Sequence, residues 1–272
     1  MATGSDLAGT MPRESSLRRR FFPVRFGRAA GLLLPTAGLL LWEILSRTSV
    51  LPANWMPAPT TIVRTLRDLL VSGDLLAHIA STLARVALGL LFGGSFGTIF
   101  GVASGQSSVV RKLVDPTLQA LRNIPSMAWA PLFLLWMGIG EVSKVTLIAV
   151  GVFFPVYLNL YSGIVNIDPK LIEVGLLYRL SRMDFARRIL LPAALPAYLV
   201  GLRSGLGLGW MFVVAAEIMG ASRGLGYLMV DGQTTSRPEL ILAALLLFAG
   251  FGKLSDAGLE SLGRHLLRWK SS

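Results

Sequence analysis

Stretches of predominantly apolar residues recur along the chain, and polar or turn-forming segments separate them. Each stretch is close to the roughly 20 residues that an α-helix needs to cross a bilayer. Pro125 and Pro131 interrupt the third stretch, which a membrane helix tolerates when its neighbours satisfy the freed carbonyl groups. The pattern predicts an all-α polytopic membrane protein with about six transmembrane helices. The predicted spans are 29–46, 80–104, 121–138, 143–164, 194–220 and 238–256.

Glycine recurs every four residues in two of these spans. Positions four apart share one face of a helix, and a glycine face lets a second helix approach closely and gain contact that lipid cannot supply. We expect tight packing within the chain at these faces; the alternative is that the glycines line a transport path directly. The glycines are Gly89, Gly93, Gly97, Gly101 and Gly105 in the second span and Gly201, Gly205 and Gly209 in the fifth.

A polar segment at 168–192 stands between the fourth and fifth spans and carries its own helix signals. Asp168 suits an N-cap and Pro169 suits the first helical position. Ser181, followed three residues later by Asp184, forms a second capping pattern. Two short amphipathic helices between spans suggest a docking surface for a soluble partner, while the plainer interpretation is an ordinary charged loop.

The loop at 48–79 also contains a helical pattern. Its first part, through Pro57-Ala58-Pro59-Thr60, is rich in turn-forming residues. From Thr61 to Val71 the apolar residues recur with a helical period. This segment is predicted to be a short interfacial helix.

Composition supports a membrane protein and narrows its chemistry. The 272 residues are 53% hydrophobic and 15% charged, with a mean hydropathy of +0.62. The net charge of +11 therefore indicates cytoplasmic loops rather than nucleic-acid binding. Because the chain has no Cys, and His78 and His265 lie far apart, neither a thiolate site nor a metal site is expected.

Motifs for catalysis or nucleotide binding are not recognised in the sequence. Gly250-Phe251-Gly252-Lys253 hints at a phosphate loop, but the Walker pattern needs Gly at position 247 and Ser or Thr at 254, and both are Leu. A nucleophile elbow and an evident pair of catalytic carboxylates are also missing from the sequence. We expect no catalytic residues and no cofactor bound by this chain itself.

The distribution of Lys and Arg sets the predicted orientation. With six spans and an internal N-terminus, cytoplasmic segments carry seventeen basic residues and external segments six, the other three falling within spans or at their ends. This follows the positive-inside rule and places 168–192 in the cytoplasm. The chain then divides into a basic cytoplasmic segment at 1–28, a transmembrane domain at 29–256 and a cytoplasmic tail at 257–272. For 1–28 an uncleaved anchor is preferred to a twin-arginine signal, because no small-x-small cleavage site follows the first span.

Ionisable and aromatic residues inside spans are the candidates for a translocation path. Arg203 and Glu217 share the fifth span but lie about 21 Å apart along a helix, so they cannot pair, and Arg85 is the alternative partner for Glu217. Arg203 contacts a passing anion in one interpretation and extends to the interface in the other. Three tryptophans either line the path or serve packing and interfacial anchoring: Trp129, Trp136 and Trp210.

The segment 168–192 resembles the EAA loop of ABC importer permeases, whose pattern is Glu-Ala-Ala, three residues, Gly, nine residues and Ile-x-Leu-Pro. Val174 and Gly175 take the places of the two alanines, and Arg179 takes the place of the usual Gly. Four residues match in register: Glu173, Ile189, Leu191 and Pro192.

Further motifs, together covering roughly 50–270, resemble the branch of this family that imports sulfonates, taurine and nitrate. They include Leu121-Arg122-Asn123-Ile124-Pro125, Trp129-Ala130-Pro131-Leu132, Gly138-Ile139-Gly140-Glu141, Ala215-Ala216-Glu217 and Gly224-Leu225-Gly226-Tyr227.

The resemblance implies a type I importer permease in the bacterial inner membrane, with both termini cytoplasmic. Its implied partners are a second permease copy, cytoplasmic ATPase subunits that bind ATP and Mg, and an extracytoplasmic substrate-binding protein. The coupling loop would dock on the ATPase, with Glu173 orienting or capping the coupling helix at the contact, Gly175 permitting close approach and Pro192 setting the start of the fifth span.

The implied substrate is a small organic anion such as an alkanesulfonate or taurine. Nitrate, bicarbonate and a heterocyclic vitamin precursor are alternatives. Two other classes are considered: a membrane-embedded enzyme, which would need clustered His, Asp or Glu, and an ion-coupled secondary carrier, which would need a mirrored second half.

Overall fold

The protein, seen in a computed structural model that describes residues 30–52 and 54–270, is built from α-helices, with no strand in that part of the chain. The predicted N-terminal segment 1–28 lies outside the described residues. In chain order the helices are α1 (Ala30–Arg47), α2 (Pro59–Ser72), α3 (Asp74–Gln106), α4 (Ser108–Arg122), α5 (Trp129–Met137), α6 (Glu141–Val165), α7 (Pro169–Leu177), α8 (Arg182–Phe185), α9 (Leu191–Ile218), α10 (Leu225–Thr234) and α11 (Pro238–Leu266).

Four stretches of helix in the described chain are long and apolar enough to cross a membrane. They are α3, α6, α11 and one continuous helix, Met183–Ile218, which joins α8 to α9. These correspond to the second, fourth, sixth and fifth predicted spans. The prediction of an all-α polytopic membrane protein is confirmed.

Of the two remaining predicted spans, the third differs from the expectation. The stretch 121–138 is not one helix: α4 ends at Arg122, a 3₁₀ turn follows at Ser126–Ala128, and α5 has only nine residues. Nine residues extend about 14 Å, half of a bilayer core. The break falls at Pro125, because proline disfavours a helical conformation at the residue before it. The first predicted span is α1, whose 18 residues extend about 27 Å.

Helix α6 lies between the two glycine faces, and this contact forms the centre of the bundle. A Cβ atom added at Gly93 of α3 would lie 2.3 Å from the carbonyl oxygen of Ala149. A Cβ atom at Gly201 of α9 would lie 2.9 Å from the Cβ of Asn159, which is also on α6. The predicted tight packing within the chain is therefore confirmed at both faces. The α6 residues that meet the α3 glycines include Ile148, Ala149, Val152, Val156, Leu160 and Ile164.

The predicted interfacial helix is present as α2, and a carboxylate from α1 caps its first turn. Glu43 accepts hydrogen bonds from the backbone N–H of Thr60 at 3.1 Å and from its hydroxyl at 2.8 Å. The N-terminal end of a helix favours negative charge, so this contact joins α1 to α2. Ile62 is the fully buried apolar anchor of α2.

Helix α11 continues ten residues beyond the predicted end of the sixth span at 256, reaching Leu266. The predicted tail at 257–272 therefore begins inside a helix. This extension carries Glu260, which, together with Asp256, pairs with Arg203 of α9. The sequence pattern ended the span early because polar residues replace apolar ones at Lys253 and Asp256.

We predict that Gly201→Leu destabilises the folded chain and Gly207→Leu does not. Both glycines lie on α9, but a Cβ at Gly201 would also lie 3.0 Å from the Pro155 carbonyl oxygen, whereas nothing lies within 4 Å of one at Gly207. Overpacking of this kind costs about 1–3 kcal/mol. Size-exclusion profiles and thermal midpoints of the two purified variants test this, and equal behaviour would contradict it.

Candidate functional site

The polar segment 168–192 begins with a capped helix, as predicted. The side chain of Asp168 accepts a hydrogen bond from the backbone N–H of Lys170 at 2.9 Å, and Pro169 opens α7. Proline is favoured here because its missing N–H would have no partner within the helix. The segment is therefore an ordered element with a fixed first turn.

Helix α7 ends in a reversal that places Arg179 in the left-handed region, with φ of +48°. The N–H of Leu180 bonds to the carbonyl of Gly175 at 3.1 Å, and the N–H of Arg179 bonds to that of Leu176 at 3.0 Å. This pair of bonds is the Schellman motif, in which the left-handed residue is usually Gly. The EAA pattern thus has Gly at a backbone position that favours glycine. In this chain Arg179 occupies that position and forms the Schellman turn.

Gly175 lets the two halves of the segment close on each other. It is buried, and a Cβ atom there would lie 2.7 Å from the ring of Phe185 and 2.9 Å from the side chain of Ile189. Any larger residue would push α8 and the following turn away from α7. Gly175 therefore allows close packing within the segment 168–192.

The second half of the segment runs directly into α9. The hydroxyl of Ser181 accepts a hydrogen bond from the N–H of Asp184 at 3.1 Å, which is the predicted cap of α8. A π-helical turn, Ala186–Leu190, then joins α8 to α9. Pro192 has no N–H to donate to the preceding turn, and π turns occur where the regular bonding ladder is interrupted in this way. The predicted second coupling helix is therefore the first part of the continuous helix Met183–Ile218.

The outward side of this segment combines apolar and charged groups. Leu176, Leu177 and Tyr178 are each more than 70% exposed. Glu173 and Leu191 are also exposed, and Ile189 is half-buried. Exposed apolar groups bordered by charge are typical of a docking surface.

A buried ion-pair cluster lies at the opposite end of α9. The guanidinium of Arg85 on α3 donates to both carboxylate oxygens of Glu141 at 2.7 Å. It also donates to Glu217 of α9 at 2.7 Å. The side chains of Arg85 and Glu217 are 5% and 0% exposed. The expected pairing of Arg85 with Glu217 is therefore present, and the involvement of Glu141 was not foreseen from the sequence.

Glu217 also holds the loop that follows α9. Its carboxylate accepts from the hydroxyl of Thr82 at 2.7 Å and from the N–H of Gly226 at 2.7 Å. Gly224 has φ of +134°, and a Cβ atom there would lie 2.4 Å from the Glu217 carboxyl carbon. The backbone N–H of Gly224 donates to Nδ1 of His78 at 3.0 Å. The Glu217 carboxylate thus bonds to α3 and α10 as well as belonging to α9, and it fastens these three helices together.

Arg203 and Trp210 are the points at which α9 joins α11. Arg203 makes two hydrogen bonds of 2.9 Å to Asp256 and one of 3.1 Å to Glu260. The indole N–H of Trp210 donates to the hydroxyl of Ser255 at 2.8 Å. These contacts support a helix-fastening role for both residues. Sequence reasoning missed the partners of both residues, because they lie 45 to 57 positions away along the chain.

Trp129 and Trp136 are the predicted path tryptophans that lie on α5. The Trp129 ring stacks on Phe133 with a centroid distance of 5.9 Å, and its buried indole nitrogen has no hydrogen-bond partner in the described chain. Trp136 is exposed. Neither contacts Arg203 or Glu217 in any hydrogen bond of the described residues, so the predicted path residues do not form a single cluster.

The structure is an all-helical membrane bundle with an ordered loop between spans and a buried ion-pair cluster at the other end. These features define a polytopic membrane protein of the transport-permease class. A family model described as "Binding-protein-dependent transport system inner membrane component" matches residues 79–268. The chain belongs to this family.

Relatives extend the match over nearly the whole chain. The chain is 39% identical to the putative aliphatic sulfonates transport permease protein SsuC of Bacillus subtilis, over 98% of both chains. It is 38% identical to the Escherichia coli protein of the same name, over 89% of this chain and 92% of the relative. The taurine transport system permease protein TauC of Escherichia coli is 32% identical over 89% and 90%.

Among solved structures, the MetNI methionine ABC transporter in inward-facing conformations is similar in fold. The TM-score is 0.64 at 19% identity, covering 72% of this chain and 97% of that chain. The resemblance to ABC importer permeases, and to their sulfonate and taurine branch, is thus confirmed.

We predict that Glu217→Gln lowers the thermal stability of the chain much more than Glu239→Gln. Each carboxylate pairs with an arginine, but Arg85 is buried and Arg237 is half exposed. Breaking a buried pair costs about 3–5 kcal/mol, and an exposed pair contributes about 0–1 kcal/mol. Thermal unfolding of the two variants in detergent measures the difference. Similar midpoints would contradict a buried fastening role for Glu217.

We predict that Arg179→Gly stabilises the isolated chain. The left-handed conformation costs a residue with a Cβ about 1 kcal/mol or more, and glycine adopts it without that strain, at the cost of greater entropy in the unfolded chain. Tyr178→Gly is the matched control, because Tyr178 has an ordinary φ of −78° and gains nothing from glycine. A rise in thermal midpoint for Arg179→Gly and a fall for Tyr178→Gly are expected. A fall for both would show that Arg179 is not strained.

Proposed function

We propose that this chain is the permease subunit of an ATP-driven importer of aliphatic sulfonates, with taurine as a related substrate. The observation that carries the proposal is the similarity over most of the chain to two permeases named for aliphatic sulfonates and to one named for taurine. Such substrates share a singly charged sulfonate group, so one path can serve an organic anion of this class. Nitrate and bicarbonate share the oxyanion chemistry and are the competing substrates to exclude.

The segment 168–192 is proposed as the coupling loop that docks on the ATPase subunit. Its exposed apolar side chains and its fixed caps support a rigid docking surface. Since no nucleotide motif is recognised in the chain, ATP and Mg are assigned to that partner. Glu173, Gly175 and Arg179 lie in or directly after α7, and Ile189, Leu191 and Pro192 lie at the junction with α9.

Because one continuous helix runs from the segment 168–192 through the bundle, docking at that segment can affect the other end of the bundle. The helix Met183–Ile218 has 36 residues, about 54 Å, and it joins the loop to the Glu217 cluster without a break. A displacement of the loop by the closing ATPase would therefore move the outer cluster as well. ATP binding by the partner then shifts the balance between inward-open and outward-open states through its different affinity for the two.

The remaining parts of the proposal concern placement and assembly. The excess of Lys and Arg in the segments that precede α1, follow α3, flank α7 and end α11 supports cytoplasmic termini and a cytoplasmic coupling loop in the inner membrane. A second copy of the chain would complete the path, and an extracytoplasmic binding protein would deliver substrate at the opposite face. Arg203, Glu217 and Trp210 are proposed to shape the path by fastening its helices, with Trp129 of α5 nearest to lining it.

We predict that Glu173→Arg abolishes ATP-dependent uptake and weakens recovery of the ATPase subunit, while leaving the permease folded in the membrane. Glu173 is exposed on α7, so reversing its charge disturbs the docking surface and not the core. Asp68→Arg is the matched control, because Asp68 is an exposed carboxylate on α2, away from the coupling loop. Co-purification with the ATPase and uptake of labelled ethanesulfonate into proteoliposomes are the measurements. Full coupling in the Glu173→Arg complex would contradict the docking assignment, and uptake without ATP would indicate an ion-coupled carrier.

A further inference from the structure

The start of α10 is held by side chains that belong to other helices. Its N-cap is Gly224, which has no side chain to cap the helix. The first N–H groups of a helix have no partner within it, so buried ones need acceptors from elsewhere. Helices α3 and α9 supply three: the N–H of Gly224 donates to Nδ1 of His78 at 3.0 Å, that of Leu225 to the hydroxyl of Thr82 at 2.8 Å, and that of Gly226 to the carboxylate of Glu217 at 2.7 Å.

The hydrogen bond to His78 fixes the protonation state of its ring. A ring nitrogen that accepts a hydrogen bond carries no proton, so this imidazole is neutral and its one proton is on Nε2. The residue is buried, and its ring stacks on that of Tyr227 with a centroid distance of 5.6 Å. The stacking and the hydrogen bond together hold the acceptor nitrogen toward Gly224.

A proton on Nδ1 would turn this acceptor into a donor. The Gly224 N–H would then face a second N–H group across 3.0 Å, and the hydrogen bond between them would be lost. The imidazolium would also place a positive charge at the N-terminal end of α10, where the helix dipole is positive. Both effects would push the ring of His78 and the start of α10 apart.

The groups around the ring determine how costly this proton is. Burial opposes a charge on the ring, and so does Arg223 in the loop before α10. Three carboxylates favour the charge: Asp74 on the same helix, Glu217 on α9 and Asp231 on α10. The carboxylates therefore offset part of the cost of placing a proton on a buried imidazole.

Of the three acceptors at the start of α10, only the imidazole has an ordinary pKa between pH 5 and 8. When His78 gains a proton, the hydroxyl and the carboxylate still bond to the next two N–H groups. The loss is therefore confined to Gly224, whose φ of +134° lies in a region that side chains rarely adopt. Protonation would release this end of the loop between α9 and α10 without unfolding α10.

We propose that His78 makes the end of the permease near Glu217 sensitive to acid: its protonation releases the start of α10 from α3 and lowers import when the external medium is acidic. The contact is intact above about pH 6.5, the ordinary pKa of histidine, and is lost as the pH falls below it. This inference rests on the proposed function, because the proposed orientation places this end of the bundle outside the cell. Import would fall because α9, once loosened from its neighbours here, transmits less displacement from the coupling loop.

Hydrogen–deuterium exchange of the purified full-length permease tests the contact itself and needs only the wild-type chain. Protection of the peptide that contains Gly224, corrected for the intrinsic effect of pH on exchange, is compared at pH 7.5 and pH 5.0. We expect it to fall about fivefold to a hundredfold at the lower pH, the equivalent of one buried hydrogen bond. A peptide from the middle of α6 should keep its protection. Equal protection of the Gly224 peptide at both pH values would overturn the proposal.

Two substitutions assign the effect to one ring. His78→Asn places an amide oxygen near the position of Nδ1, and this acceptor does not titrate, so protection at Gly224 should no longer depend on pH. His265→Asn is the matched control, because His265 is the other histidine of the sequence and is exposed on α11. It should keep the pH dependence of the wild type. The same loss of protection in His78→Asn as in the wild type would assign the effect to another group and overturn the role of His78.

Uptake of labelled ethanesulfonate into proteoliposomes tests the consequence for import. The complete complex is used with an internal pH of 7.5 and an external pH of 7.5 or 5.0, and the same binding protein is added in every assay so that its own response to pH cancels. We expect the wild type and His265→Asn to lose most of their uptake at external pH 5.0 and His78→Asn to retain it. An equal fall in all three would overturn the role of His78 in import. Absence of wild-type uptake at both pH values would overturn the proposed function instead, and the exchange measurement would still decide whether His78 releases α10.

Discussion

The contact of α6 with two glycine faces is the constraint on which the rest of the molecule depends. Lipid tails are as apolar as leucine, so no hydrophobic effect draws spans together, and close packing must do it instead. Because the α3 glycines have no Cβ, the α6 backbone packs directly against α3, and the distance between the two helices can change little. The same holds between α6 and α9. These three helices therefore form one unit, and movement in the protein has to occur around them.

Both polar regions of the molecule, the segment 168–192 and the Glu217 cluster, are attached to this unit through α9. One end of the continuous helix carries the proposed coupling loop, held by the Asp168 cap, the Arg179 turn and the Gly175 contact. The other end carries Glu217, which is satisfied by contacts from α3 and α10. A rigid helix fixed at both ends transmits displacement, whereas a loop between two free ends would absorb it. The π turn before Pro192 and Pro196 inside α9 interrupt the regular hydrogen bonding between the segment 168–192 and the Glu217 cluster.

Local signals in the sequence predicted local structure well. The Asp168 and Ser181 caps and the four-residue glycine spacing each depend on a few neighbouring positions, and each is present in the structure. Long-range partners could not be predicted from the sequence. Nothing near Arg203 in sequence indicates Asp256 or Glu260, and nothing indicates that Glu141 folds onto Arg85. The break at Pro125 was also missed, because a proline within an apolar run fits either a kinked span or a helix end, and only the surrounding packing decides between them.

The choice of functional residue depends on whether a buried charge is satisfied and not on its presence in a span. The sequence singles out Arg203 and Glu217, because charge inside a membrane is costly, yet the structure supplies each with partners at 2.7–3.1 Å. Lys144 stands near a span end in the sequence, and the structure buries its side chain and pairs it with Glu141 at 3.6 Å. A fully satisfied group contributes to holding helices together, and a substrate would have to displace its partners to reach it.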